Sequence, residues 1–440
     1  IMSSDWSSDV CSSDLAVLGL SGFATSLHWI NGHAFVRLYP EIHTAQTWIA
    51  LAVAMFLFGL LMVWTLRTSL RRRVLSLVGI VFVALAAVAG GWGARPVWAS
   101  HEIRFLLVDG TVVGREAVEL LSAGRRPGGL WAPSRRKETK GVLRGLVRRE
   151  GASVLLITVD ALRPDRMGVY SEESRLTPHL DRWAREEVVF ERAYCHAPHS
   201  SYSLSSLHTG EPVRSLVSLK QPLPRTLASL LRERGYNTEA FCTRGVFHTE
   251  GDKLQAYWKN KFGFRVFDPN GYDAKKLTDK ALFALRELGR RKEPFFLWVH
   301  YFDVHEPYRR HKAFDFGSKP HQRYDSEVAY TEREVSRLIQ EAKRTRENLI
   351  LVLTADHGEE FGEHGGHYHG NSVYDEQVRV PLVVSVPGVA SRKVSTPVSL
   401  TDVAPTLLDI LGVVPPHSLR GRSLTAQLLG REVSPRPVFR

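Results

Sequence analysis

ENLILVLTADHGEEFGEHGGHYHG, residues 347–370, begins as an uninterrupted apolar run and ends as a loop dense in histidine, glutamate and glycine. The run over 349–355 has strand length and no polar alternation, so it predicts a buried strand. Asp356 and His357 follow at its carboxyl end. The same layout recurs in SVLLITVD (153–160), which ends in Asp160. EPFFLWVHYFDVHEPY (293–308) starts as a strand and carries His300 and His305. VRVPLVVSVPG (378–388) reads as a fourth strand. Helical patterns lie between them, LPRTLASLLRERG (223–235) and AKKLTDKALFALRELGRR (274–291) among them. Alternating strands and helices predict an α/β fold, a mostly parallel sheet flanked by helices, with ligands gathered outside the carboxyl ends of the strands. No internal repeat is visible.

Asp160, His300, His305, Asp356 and His357 all fall at that end. Each one alone reads as a cap or a solvated loop residue. Three buried strands that all end in ionisable groups favour a site. Asp160, Asp356 and His357 offer two oxygens and a nitrogen, a suitable set for one divalent cation such as Mn, Zn, Ca or Mg. Ester chemistry beside a metal needs a nucleophile, and APHSSYSLSSLHTG (197–210) supplies candidates. Ser200 begins a stretch able to form a short helix, whose N-terminal N–H groups and dipole suit a phosphate or sulfate group. The plainer role for Ser200 is an N-cap, and both roles are compatible.

The first third of the chain has a different character. Residues 47–66 (TWIALAVAMFLFGLLMVWTL) and 74–94 (VLSLVGIVFVALAAVAGGWGA) are uncharged runs. At about 1.5 Å per residue, ~20 residues span a ~30 Å bilayer core, which predicts two transmembrane helices within a region of 16–98. The loop RTSLRRR between them faces the cytoplasm by the positive-inside rule, so the remainder is extracytoplasmic, on the outer side of the cytoplasmic (inner) membrane. Residues 99–150 read as a basic linker, and 151–440 as the catalytic domain, truncated at its C-terminus. IMSSDWSSDVCSSDL (1–15) resembles translated sequencing adapter and is excluded from the fold. The net charge of +12 comes from scattered or membrane-flanking residues, without a nucleic-acid motif, and favours a membrane surface as partner. Of the three cysteines, Cys195 and Cys242 lie in the folded part and leave a disulfide open.

Seven segments in order, ITVDALRPDRMGVY, LTPHLDRWAREEVVFERAYCHAP, SLHTG, DVHEPY, TADHGEEFGEHG, HGNSVYDEQVRVPLVVSVPG and SLTDVAPTLLDILG, resemble the sulfatase family of the alkaline phosphatase superfamily over about residues 153–430. Membrane helices ahead of such a domain are similar to bacterial envelope phosphoethanolamine and phosphoglycerol transferases. The resemblance implies that Asp160, Asp356 and His357 bind the metal and that Ser200 is the nucleophile beside it. It also implies that His305 contacts the ester oxygens and that His369, ahead of Tyr374–Glu376, is the acid or a substrate contact. His300, Arg244 and His248 are substrate-binding candidates, the last two standing in for an absent family segment. The family's second aspartate is Ala161 here, and Asp402 reads as a helix cap. His364 and His367 read as solvated.

The family nucleophile motif C/S-x-P-S-R is Ser200-Ser201-Tyr202-Ser203-Leu204 in this chain, without its Pro and Arg. A formylglycine hydrate releases sulfate by elimination, and a plain serine cannot. A serine phosphate ester can be discharged to water or another hydroxyl. The expectation is therefore phosphoryl chemistry on an unmodified serine, with a lipid or envelope glycan as substrate. Sulfate-ester hydrolysis through formylglycine, or a non-catalytic membrane scaffold, are the competing readings.

Overall fold

The three apolar runs that end in ionisable residues form strands along their whole length and lie side by side in the middle of one eight-stranded sheet. The computed structural model describes residues 147–217, 224–243, 256–257, 259–414, 419–436 and 438. The adapter-like segment, both apolar spans, most of the linker, Arg244 and His248 lie outside the described residues. Among the described residues, no helix is long and apolar enough to cross a membrane.

The sheet contains β1 (Ser153–Val159), β2 (Val188–Phe190), β3 (Asn237–Phe241), β4 (Val266–Asp268), β5 (Phe295–Tyr301), β6 (Leu349–Ala355), β7 (Leu382–Ser385) and β8 (Arg392–Val394). Their spatial order is β8-β2-β7-β6-β1-β5-β3-β4. Every residue of β1, β5 and β6 is buried, which is why their sequences read as continuous apolar runs. The pairs around β1 are parallel. The fourth predicted strand is shorter than its apolar run, and β7 lies antiparallel to both β6 and β2. The connecting residues 356–381 form the site loop and bring the chain back to the carboxyl end of β6, where Leu382 pairs with Thr354, so β7 runs back along β6.

Helices α1 (Ser200–Thr209), α2 (Ala274–Gly289), α3 (Pro320–Thr345) and α4 (Val403–Ile410) accompany the sheet. α2 starts where Asp273 accepts a hydrogen bond from the Lys276 N–H at 2.9 Å, and it buries Leu277, Ala281, Leu285 and Leu288 along one face. The helix predicted over 223–235 is confined to Leu227–Arg232.

Register carries the fold into the site. Val159 pairs with Tyr301 on one side and Ala355 on the other, so Asp160 and Asp356, each one residue further on, emerge together. Neighbouring strands stand about 4.8 Å apart, which brings the two carboxylates into mutual contact range.

One buried acid outside the site has a measurable cost. Asp303 accepts from the Ala274 N–H at 2.9 Å through Oδ1, while Oδ2 has no partner. Burial, with the charges of Glu327 and Asp273 adding to it, pushes its carboxyl from the usual 3.8 up to about 6. The folded state therefore holds this proton more tightly than the unfolded chain. Stability falls as the pH rises from 3.8 through about 6, and the loss persists above that window. Asp303→Asn keeps the acceptor for Ala274. It is expected to stabilise the fold by about 1–3 kcal/mol near pH 8 and to leave stability unchanged near pH 3.5, measured by denaturant titration at both pH values.

Candidate active site

His357 leaves β6 with its Nδ1–H donating to the Gly358 carbonyl at 2.9 Å. That bond fixes the tautomer and turns the Nε2 lone pair toward the acids, 3.6 Å from Asp356 Oδ2 and 3.7 Å from Asp160 Oδ1. The ligand atoms that Asp160, Asp356 and His357 offer lie within 4.8 Å of one another. All three side chains are completely buried, and Asp160 Oδ1 and Asp356 Oδ2 have no hydrogen-bond partner among the described residues. Three acceptors converging in a dry pocket are costly unless a cation lies among them. The donor set therefore fits one divalent cation, as the sequence pattern anticipates.

The remaining contacts hold the acids in place. Asp356 Oδ1 accepts from the main-chain N–H groups of His357 (2.9 Å) and Ala161 (3.2 Å). Ala161, where the family carries a second acid, adopts a positive φ of 54° to make this turn. Tyr324 pins the same turn, donating its hydroxyl to the Ala161 carbonyl at 2.7 Å and accepting from the Arg163 N–H at 2.9 Å. Burial raises both acids. The imidazoles of His305, His357 and His300 outweigh it at Asp160 and bring that carboxyl below the carboxylate range. At Asp356 burial dominates and the charge of Asp160 adds to it, so that carboxyl is raised. Burial disfavours the charged form of His357, but the two aspartates outweigh it and raise the imidazole.

Ser200 is delivered by α1. The N-cap of that helix is His199, so Ser200 is its first helical residue and does not cap it, contrary to the plainer expectation. Ser200 Oγ lies 3.0 Å from His357 Nε2 and 3.3 Å from Asp160 Oδ2. Ser203, one turn on, donates to the Asp356 carbonyl at 2.6 Å and ties the helix to the loop that follows β6. The helix closes at Gly210, whose φ of 69° is a left-handed cap.

His300 plays a different part from the one expected. It is 1% exposed, and its ring nitrogens meet Thr158 Oγ1 at 2.7 Å and Asp160 Oδ2 at 3.4 Å. Trp298 Nε1–H donates to the same Thr158 oxygen at 2.9 Å. With Trp298 as donor, the Thr158 oxygen still has its proton and one lone pair to meet His300 Nδ1. His300, expected as a substrate-binding group, is placed against Asp160 of the candidate cation site.

Two further imidazoles lie close to His357. His369 stacks on His357 with ring centroids 4.1 Å apart and meets Glu359 Oε1 through Nδ1 at 2.9 Å. The His305 ring is 5.0 Å from that of His369, stacks on Phe302 and donates from Nδ1 to the Glu306 carbonyl at 2.6 Å. Sequence reasoning missed His199 and Glu359. His199 directly precedes Ser200 and hydrogen-bonds Ser201 at 3.0 Å; burial, reinforced by the charges of His369 and His357, pushes it down to about 3 and keeps it neutral. Glu359 is two residues after His357, and that short spacing in a glycine-rich loop is its one local signal.

Other expectations need correction. Cys195 and Cys242 are both free and buried, so no disulfide joins them. His364 is not merely solvated: it pairs with Glu376 and stacks on Tyr374 at 3.6 Å. His367 is exposed. Asp402 makes no side-chain cap on α4; it completes a capping box on the 3-10 turn Leu400–Asp402 by accepting from the Ser399 N–H at 3.0 Å, and it accepts from the Arg422 N–H at 2.8 Å.

The sulfatase family profile matches residues 152–413, more than half of the chain. The chain belongs to the sulfatase family. As a member it is an enzyme of the alkaline phosphatase superfamily that acts on sulfate or phosphate ester bonds. This sulfatase-family chain is 23% identical over 352 residues to the uncharacterized sulfatase YidJ of Escherichia coli (strain K12), an alignment covering 62% of this chain and 70% of YidJ. Its fold is similar to the phosphonate monoester hydrolase of Agrobacterium radiobacter, with a TM-score of 0.52, 22% identity, and coverage of 64% of this chain and 78% of that one. It is also similar to the lipoteichoic acid synthase LtaP from Listeria monocytogenes, with a TM-score of 0.54, 16% identity, and coverage of 66% and 78%. At these identities the two solved structures speak to the fold alone.

Proposed function

We propose that this sulfatase-family enzyme is a membrane-anchored metalloenzyme of the cell envelope that cleaves or transfers phosphate esters through unmodified Ser200. The observation that carries it is the Ser200 hydroxyl, 3.0 Å from His357 Nε2 and 3.3 Å from Asp160, at the start of a segment lacking the Pro and Arg of the family's maturation motif. Asp160, Asp356 and His357 would hold the cation. Bound there, a divalent cation supplies charge that favours the serine alkoxide and neutralises the ester's non-bridging oxygens.

The side chains then divide the work. The Ser200 hydroxyl first releases its proton to water, its alkoxide Oγ attacks phosphorus in line, the bond from phosphorus to the leaving oxygen breaks, and the alkoxide is regenerated when the serine phosphate is later cleaved. N–H groups of the first turn of α1 face the growing negative charge. His369 gives its proton to the leaving alkoxide, with His305 beside it as an ester-oxygen contact. In the second half, water or an acceptor hydroxyl attacks the serine phosphate and returns a proton to His369. The apolar spans at 47–66 and 74–94 support the anchor, the basic loop between them supports an extracytoplasmic active site, and the name of LtaP suits a lipid or glycan-linked phosphate substrate. The name sulfatase borne by YidJ favours the second reading, sulfate-ester hydrolysis.

A panel of sulfate monoesters, phosphate monoesters and phosphodiesters, assayed with several divalent metals, tests the reaction class. Hydrolysis of sulfate monoesters alone would overturn the phosphoryl assignment. Peptide mass spectrometry across residues 197–210 tests the nucleophile, since formylglycine would appear as a loss of about 2 Da from serine. His369→Ala is expected to lower turnover by about 10²–10⁴-fold on esters with poor leaving groups and far less on nitrophenyl esters. An equal loss on both would make His369 an oxygen-binding group instead of an acid.

A further inference from the structure

We propose that Glu359 is the positioning residue for His369, clamped by Tyr308, and that this Tyr308–Glu359–His369 chain holds the imidazole in the one tautomer that can serve the leaving group. The proposal rests on the assignment of His369 as general acid. Glu359 is completely buried, an expensive place for a carboxylate, and both of its oxygens are engaged: Oε1 with His369 Nδ1 at 2.9 Å and Oε2 with the Tyr308 hydroxyl at 2.6 Å. A purely structural acid would be expected to take the nearest guanidinium. Arg163 is at hand, but it spends one N–H on the Glu359 main-chain carbonyl at 2.9 Å and directs the rest of its fork to Asp165 and Glu363. The Glu359 side chain is thus left to a phenol and an imidazole.

The consequence for His369 is specific. A carboxylate only accepts, so Nδ1 must carry a proton, and Nε2 is the nitrogen left to exchange one with the ester. Ring stacking on His357 at 4.1 Å and the His305 edge at 5.0 Å restrict the remaining rotation of the imidazole. Tyr308 plays the corresponding part for Glu359. Its hydroxyl is kept protonated by burial and by the charge of Glu359, so it remains a donor. Carboxylate–histidine partners of this kind orient the ring without touching substrate.

The test compares two esters and two backgrounds. Glu359→Ala is expected to lose about 10–100-fold in turnover on alkyl phosphate esters and less than about 3-fold on 4-nitrophenyl esters. Tyr308→Phe should lose in the same sense, by about 3–10-fold on the alkyl esters. Adding Glu359→Ala to His369→Ala should cost nothing further, because a residue acting through His369 has nothing left to position. Glu359→Gln preserves volume and an acceptor oxygen, and should show a smaller loss with the same ester selectivity if the alanine variant folds poorly. Equal losses on both esters, or a full additional loss in the His369→Ala background, would overturn the proposal. If His369→Ala itself lacked ester selectivity, the general-acid assignment would fail, while the coupling between the two positions would still report whether they act together.

Discussion

Ser200→Ala is expected to lower turnover by about 10⁴–10⁶-fold on 4-nitrophenyl and alkyl esters alike. The loss should be indifferent to the leaving group because the attacking atom itself is removed, whereas a general acid matters only when the leaving oxygen is basic. That contrast with His369→Ala separates the two roles on one pair of substrates. The variant should keep its metal, since Asp160, Asp356 and His357 remain and converge within 4.8 Å without the hydroxyl. The variant should also fold, because Ser200 does not cap its helix and Ser203 still tethers α1 to the Asp356 carbonyl. Activity within tenfold of the parent would remove Ser200 as nucleophile, and loss of the metal would make it chiefly a ligand.

Asp160→Asn is the second large effect. Asp160 Oδ1 and Asp356 Oδ2 are buried without hydrogen-bond partners among the described residues, an arrangement that suits a bound cation. An amide brings two N–H donors and no charge. Bound metal, measured by elemental analysis of the dialysed protein, is expected to fall from about one ion per chain to well below that. Turnover should fall by at least about 10³-fold and recover only in part with added metal. Chelation of the parent should lower its Tm, because anything that binds only the folded state stabilises it, and withdrawal leaves two buried carboxylates facing each other. A variant with full metal and full activity would place the cation elsewhere.

The legibility of the site varied residue by residue. Asp160, Asp356 and His357 were readable because each follows an apolar strand, and a strand's end is a local pattern. Ser200 was readable by its place in a hydroxyl-rich stretch before a glycine, and α1 runs from it to Thr209. His300 was read as a substrate group because it too lies near a strand end. Its true partners, Thr158 and Asp160, belong to a neighbouring strand and become contacts only through the Thr158–His300 register. Glu359 and Tyr308 are 51 residues apart, and nothing in either segment announces the other.

From its sequence alone this chain shows the three central strands, the acids and histidine at their carboxyl ends, the serine that begins α1, and a family signature across more than half its length. Those features are local: an apolar run shows its burial, and a motif shows its own spacing. The tertiary structure decided the antiparallel course of β7, the isolation of Cys195 from Cys242, the support of Asp160 by His300, and the Tyr308–Glu359–His369 chain. Each of these depends on which distant segments pack together. That choice is made by the whole core at once, through strand register and the burial of polar groups against one another, and no short window of residues contains it.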